Sequence, residues 1–275
     1  MTKLLEGKRA LITGAGRGLG AAIAVAFARE GADVALAARS RHELEEVAAQ
    51  VEAHGVRSAV LPVDLRDRSQ VETLASDALS VFGGLDIFMN NAAMESTLRP
   101  FLEIPEDEWD NTQDVNFGAA IVLLRRIGAH FVAKKSGNVI IMSSIRGTSG
   151  VPMGSGYATT KAALNSIAKT LAVEWGPDGV RVNAILPGPV LTPGVRTVLN
   201  DNPALMEYFG NIAPLKGWNT PDKVADTAVF LASDMSRAIT GHLLVTDQGL
   251  TAILQDAFTM VSPQAMQAAA VPQDG

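Results

Sequence analysis

Apolar residues come along this chain in short continuous runs, and each run is followed by a longer stretch with helical periodicity. Arg9 to Thr13, Asp33 to Ala38, Ser58 to Val63, Leu85 to Met89, Val139 to Met142, Val180 to Leu186 and His242 to Thr246 read as seven strands. Helical stretches follow Gly20 as far as about Glu30, and then run from His42 to His54, from Ser69 to Phe82 and from Pro105 to about Lys135. The last of these is expected to break near Asn116-Phe117-Gly118. A further helix carries Tyr157 and continues to Trp175, and Thr220-Pro221-Asp222 starts another with a capping residue and a first-turn proline. Strands apolar on both faces, alternating with helices, predict an α/β doubly wound, seven-stranded parallel sheet covered on both sides.

No composition shift interrupts the alternation, so residues 1–250 read as one domain. Residues 190–219 lack strand patterning and are long for a connection, which suggests a substrate-binding insertion or lid. Residues 251–275 form a tail whose apolar members up to about Val261 suggest docking onto the cleft or a neighbouring subunit.

Bulk properties narrow the field. With 275 residues, 47% hydrophobic and 19% charged, the chain is long enough for a full core. The formal charge of −6 and the lack of a basic run argue against nucleic acid as a partner. There is no cysteine, and His42, His54, His130 and His242 have no metal-ligand spacing, so a catalytic metal is not expected. The first residues lack the apolar core of a signal peptide, and no later stretch reaches membrane-spanning length without a charge, proline or glycine. These features point to a cytoplasmic protein.

Two stretches carry candidate chemistry. The first strand ends in Gly14-Ala15-Gly16-Arg17-Gly18-Leu19-Gly20 before a helix. Glycines there let the backbone approach a pyrophosphate, and the helix amino end offers unpaired N–H groups, so the arrangement is Rossmann-like. Further on, Tyr157 and Lys161 lie four residues apart and share a helix face. An ammonium there would lower the phenol's high pKa and suit it to proton transfer. Ser144 stands thirteen positions before the tyrosine, at the carboxyl end of the fifth strand, with Ser143 as the competing hydroxyl. Arg39 and Ser40 follow the second strand, where no acidic residue precedes Glu43. Arg39 with Arg17, and Ser40 or Arg41, could clamp a 2′-phosphate.

Thr13-Gly14-x-x-x-Gly18-x-Gly20, Asn90-Asn91-Ala92, Asn116, Ser144, Tyr157-x-x-x-Lys161 and Pro187-Gly188, in this order, resemble the short-chain dehydrogenase/reductase family over the chain to about residue 250. The resemblance implies a ketone/secondary-alcohol oxidoreductase in which Tyr157 is the acid/base, Lys161 tunes it and holds the nicotinamide ribose, Ser144 binds the substrate oxygen and Asn116 holds a relay water. It also implies that Gly14, Arg17, Gly18, Leu19 and Gly20 wrap the pyrophosphate. Asp64 and Leu65 would border the adenine, Asn91 would lie beside its ribose, and Val190 and Thr192 beyond Pro187-Gly188 would face the carboxamide. NADP(H) is expected over NAD(H). The alternatives are an NAD-dependent alcohol or polyol dehydrogenase and a catalytically silent dinucleotide-binding protein. A homotetramer is the assembly the resemblance implies.

Two departures from the family pattern stand out: Ala93 replaces a usual glycine, and Asp247-Gln248-Gly249 replaces Asp-Gly-Gly. The small-molecule substrate is expected among Met94, Ile145, Met153, Leu191, Val195, Leu205, Met206 and Phe209, a mostly apolar lining suited to a medium-sized ketone or alcohol. Glu95 and Arg146 are its polar members. Contact of either with substrate would favour a polyol or keto acid.

Overall fold

Strands with both faces apolar must be covered on both sides, and the computed structural model places them in that way. It describes residues 3–253 except Ser96, and the backbone alone of Val198. The strands are β1 (Arg9–Thr13), β2 (Asp33–Ala38), β3 (Ser58–Pro62), β4 (Ile87–Asn90), β5 (Gly137–Met142), β6 (Val180–Pro187) and β7 (Leu243–Thr246). They form one sheet in the order β3-β2-β1-β4-β5-β6-β7, with every pair parallel. The chain winds outward in both directions from β1, so the order reverses between β1 and β4. A crevice opens there at the carboxyl ends of the strands.

The helices that follow are α1 (Gly18–Arg29), α2 (Arg41–Glu52), α3 (Arg68–Val81), α4 (Glu106–Gln113), α5 (Ala119–Lys134), α6 (Ser155–Trp175), α7 (Pro193–Leu199), α8 (Pro203–Asn211) and α9 (Pro221–Ala232). Period-two alternation divides each strand between two cores. Ala10, Ile12, Ile140 and Met142 pack with Phe27 of α1, Leu44 of α2 and Val229 of α9. Leu11, Val139 and Ile141 face the other way, onto Leu74 of α3, Leu123 of α5 and Leu164 of α6.

The expected break near Asn116 is a π turn, Asp114–Gly118, between α4 and α5. By length and mean hydropathy (1.3) the run Glu106–Lys134 could span a bilayer. In the fold, Leu123, Leu124, Ile127 and Phe131 of that run line the second core instead.

The segment 190–219, read as unpatterned, holds α7 and α8. At seven and nine residues these are too short for a clear periodicity, yet each has a polar cap, Thr192 and Asn202, and a first-turn proline. A parallel bridge between Val190 and Asn219 closes the base of the insertion. The docking expected for the tail up to Val261 falls outside the described residues.

Of the two departures, Ala93 has no positive φ, so its methyl group strains nothing there. Gln248 does stand in the left-handed region, at φ 58°, next to Gly249 at φ 87°. The turn is held by the Asp247 carboxylate, which accepts the N–H groups of Gly249 (2.9 Å) and Thr251 (2.6 Å). A glutamine there carries a conformational cost that glycine avoids. Gln248→Gly is expected to stabilise the protein by about 1 kcal/mol. A higher urea midpoint at unchanged slope would show this, and an unchanged or lower midpoint would remove the strain argument.

Candidate active site

The ends of β1 and β4 are stitched together at the crevice. Thr13 Oγ1 accepts the backbone N–H groups of Asn91 (3.0 Å) and Ala92 (3.1 Å), while Asn91 Nδ2 donates to the Thr13 carbonyl (2.9 Å). The turn after β1 is packed so closely that side chains have no room. A Cβ on Gly14 (φ 67°) would lie 2.9 Å from Ala92 Cα, and one on Gly20 would lie 2.1 Å from the Gly14 carbonyl oxygen. Arg17 precedes α1 in an extended conformation without a side-chain cap, and Leu19 packs half-buried behind the turn. The amino end of α1 therefore offers uncapped N–H groups and a partial positive charge. This bare, glycine-lined cradle fits a dinucleotide pyrophosphate.

The other predicted cofactor residues border the same turn. Thr192 and Pro193 stand opposite Gly18, each 3.7 Å from the position of a Cβ there. Pro187 ends β6, Val190 is buried, and Gly188 sits where a Cβ would meet Asp247 Cβ at 2.9 Å.

At the adenosine end two of the expected residues have protein partners as well. Ser40 is the N-cap of α2, its Oγ accepting the Glu43 N–H (3.2 Å), which leaves its O–H to donate. The Asp64 carboxylate is held by Arg66 at 2.5 Å, with its pKa lowered to about 2 chiefly by that bond. It is an ion-paired surface group, with Leu65 half-buried against the core beside it. Arg39 remains exposed, and Arg17 lies 3.7 Å from Glu43 in a solvent-screened pair.

The catalytic candidates meet at the end of β5. Ser143 is turned away, its Oγ donating to the Lys161 carbonyl (3.1 Å). Ser144 has its Oγ at the head of the following loop, where it accepts the Arg146 N–H (3.2 Å) and influences the Tyr157 phenol. Lys161 is 1% exposed, and its Nζ donates to the Met142 carbonyl (2.8 Å) and lies 5.2 Å from the Tyr157 ring centroid.

The electrostatics overturn one expectation. Burial, with Glu95 adding to it, pushes the Tyr157 phenol above its ordinary value, against the smaller opposing influences of Arg146 and Ser144. Arg146 is one cation that eases the phenol's ionisation. Lys161 is itself lowered to about 8 by burial, with Glu95 opposing. Sequence spacing alone carries no information about desolvation, which dominates here.

Asn116, fully buried in the π turn, uses its whole side-chain amide as a clamp. Oδ1 accepts the Met94 N–H (2.6 Å), and Nδ2 donates to the Met94 carbonyl (2.9 Å) and Thr160 Oγ1 (3.3 Å). Its side chain thus positions the loop after β4. The next residue, Glu95, reaches Arg146, with Oε2 and Nη1 3.7 Å apart and Arg146 Cζ 5.9 Å from the Tyr157 ring centroid.

Met153 is half-exposed with φ 62°, and its carbonyl accepts the Arg99 N–H (3.0 Å), tying the loop after β5 to the loop after β4. Nothing in the sequence signalled that tie. Met206 stands half-buried on α8. Among the described residues, no three His, Asp or Glu side chains gather into a metal-binding set.

Comparison with known proteins gives the same picture. A family model described as enoyl-(acyl carrier protein) reductase matches residues 14–251. The chain is 32% identical over 250 residues to a 2,5-dichloro-2,5-cyclohexadiene-1,4-diol dehydrogenase of Sphingobium indicum, covering 90% of this chain and 99% of that protein. It is 36% identical over 247 residues to a 2-dehydro-3-deoxy-D-gluconate 5-dehydrogenase of Pseudoalteromonas atlantica, covering 89% and 96%. The crystal structure of L-sorbose reductase from Gluconobacter frateurii, complexed with NADPH and L-sorbose, superimposes with a TM-score of 0.86 at 32% identity, covering 92% and 100%. Sheet order, glycine turn and relatives agree: the chain belongs to the short-chain dehydrogenase/reductase family and is an oxidoreductase acting on CH–OH groups with a nicotinamide dinucleotide.

Proposed function

We propose that this protein interconverts a ketone and a secondary alcohol with Tyr157 as the proton donor and acceptor, and that NADP(H) is its preferred dinucleotide. The observation that carries the reading is the convergence of Ser144, the Tyr157 phenol and the buried Lys161 amine at the end of β5. The dinucleotide, held at the glycine turn, supplies or takes up the hydride. In reduction, the Tyr157 O–H bond breaks and its proton passes to the carbonyl oxygen, leaving a phenolate. The Arg146 guanidinium and the Lys161 ammonium stabilise that charge, and the Ser144 hydroxyl donates to the substrate oxygen. Its surroundings hold the phenol protonated, the form that donates the proton in reduction.

The NADP(H) preference rests on Arg39, which is exposed beyond β2 with no acid beside it in sequence, and on Arg17. An NAD-dependent polyol dehydrogenase is the competing reading, favoured by Glu43 standing near Arg17. The relatives' names span a diol, a deoxy-keto-sugar acid and a ketose, which supports a polar small-molecule substrate. A cytoplasmic homotetramer completes the proposal. Self-association is supported by the exposure of Phe101 (64%) and Leu102 (94%) ahead of α4 and by a groove between α5 and α6 lined by Leu124, Val132 and Ile167 together with Arg125 and Glu174.

Tyr157→Phe is expected to lower kcat about 10³-fold while dinucleotide affinity, read by fluorescence titration, changes less than about threefold. Turnover that survives would remove the tyrosine's role and favour a silent binding protein. For the cofactor, the KM for NADPH should lie below that for NADH, and Arg39→Leu should raise the NADPH value about 10- to 100-fold with little effect on NADH. A wild-type preference for NADH would reverse the assignment.

The pH dependence follows from Lys161. Its amine keeps its proton below about 8 and loses it above, so carbonyl reduction should fall as pH rises through that value. The sign for folding is opposite. The unfolded lysine holds its proton to about 10.5, so the cost that burying the ammonium imposes on the folded state below about 8 is relieved as pH rises from 8 to 10.5. Activity lost in that window without a lower melting temperature would identify the ammonium as the titrating group, and a flat profile to pH 10 would exclude it.

A further inference from the structure

Two opposite charges stand beside the Tyr157 ring, and both are placed by the site's own residues. The Arg146 backbone is fixed by the Ser144 hydroxyl, and Glu95 follows Met94, which Asn116 clamps at both its N–H and its carbonyl. Their side chains approach to 3.7 Å without a hydrogen bond between them, and that of Glu95 is 61% exposed. The pair is therefore weak and screened. Among the hydrogen bonds of the described residues, none is donated by the Arg146 guanidinium, although the side chain is only 39% exposed and leans over the tyrosine ring. A planar fork with five N–H donors, held at the reacting centre and engaged by nothing stronger than a loose ion pair, is ready for a planar anion.

Building on the oxidoreductase reading above, we propose that Arg146 anchors a substrate carboxylate and that the substrate is a short keto or hydroxy acid, with Glu95 accepting a hydroxyl of the same molecule. The two coplanar oxygens of a carboxylate match the guanidinium fork in a bidentate pair. With Glu95 offsetting part of its charge, a single arginine suits a monoanion and is a poor match for a phosphate dianion. Glu95, exposed at the cleft mouth, is free to turn from Arg146 once the carboxylate is in place.

The test is steady-state kinetics with NADPH and, in parallel, NADH on keto acids of three to six carbons, each paired with its methyl ester, together with neutral and phosphorylated ketoses. Wild-type enzyme should favour the best acid over its ester by about tenfold or more in kcat/KM. Arg146→Gln should erase that preference, chiefly through the KM of the acid. Loss of the guanidinium's help to the Tyr157 phenolate lowers kcat for acid and ester by the same factor, so the anchor is read from the acid-to-ester ratio of kcat/KM, which should fall about tenfold or more while the melting temperature holds, as expected when a partly exposed side chain is altered. Arg146→Lys should restore only part of the preference, because a point charge lacks the fork. Glu95→Gln should lower the KM for the acid.

Equal or better turnover of esters or of phosphorylated ketoses overturns the anchor, as does an Arg146→Gln variant that slows acid and ester by the same factor and so keeps their ratio. In each of those cases the oxidoreductase reading stands, provided that turnover still depends on Tyr157. If no carbonyl compound is reduced by the wild type, or if Tyr157→Phe is as active as wild type, the underlying reading fails and the anchor fails with it.

Discussion

The structure depends above all on an amine buried at the end of a strand. Lys161 is almost wholly removed from solvent, where an ammonium is costly unless it is hydrogen-bonded. The cost is offset only because β5 ends so that the Met142 carbonyl meets Nζ. Neighbouring contacts hold that register. Ser143 bonds the Lys161 carbonyl, Asn165 Nδ2 donates to the Gly147 carbonyl, and Gly147 passes so close that a Cβ would lie 2.7 Å from the Lys161 carbonyl carbon. Strand, loop and α6 thus form one fastened unit. Ser144 and Tyr157 take their places from it.

The phenol's behaviour then follows from the loops as much as from the helix. A four-residue spacing on α6 brings Lys161 near the tyrosine ring, but burial raises both groups' cost of carrying charge. The charges that differentiate the site come from outside α6: Glu95 from the loop after β4 and Arg146 from the loop after β5. The first loop is set by the π turn, whose extra residue rotates the chain so that Asn116 points inward and takes hold of Met94. A backbone irregularity in one helix therefore reaches the Tyr157 ring through a clamped loop and a carboxylate.

Much of this could be read from residues alone, for physical reasons. Short apolar runs bounded by turn residues and alternating with helical stretches mark strands covered on both faces, so all seven strands and their parallel pairing were legible, as was the helix break at Asn116-Phe117-Gly118. Strand and helix ends moved by a residue or two, since caps and fraying decide them. The short helices α7 and α8 escaped because periodicity needs more turns than they have. Within the candidate site, spacing located Ser144, Tyr157 and Lys161, and the neighbours that are distant in sequence did not appear. The N-cap contact of Ser40 and the Arg66 partner of Asp64 did not appear either. The sign of the phenol's shift is a property of enclosure, which no local pattern encodes. Met153 in a left-handed conformation, bonded to Arg99, belongs to the same class.

The two ends of the crevice are built on different principles. At the catalytic end, charge is enclosed: Lys161 is buried, Asn116 is saturated with hydrogen bonds, and small displacements would be felt strongly in a low dielectric. At the adenosine end, Arg39, Arg17, Glu43 and the Asp64–Arg66 pair stand at the surface, where water and salt screen them. The charges proposed to select the dinucleotide are therefore exposed and adaptable, whereas those around Tyr157 grade from the buried Lys161 to the partly exposed Arg146 and Glu95. Substitutions near Arg39 can alter the first while leaving the second in place, because the two ends are joined through the rigid sheet, whose edge is stitched by Thr13 and Asn91.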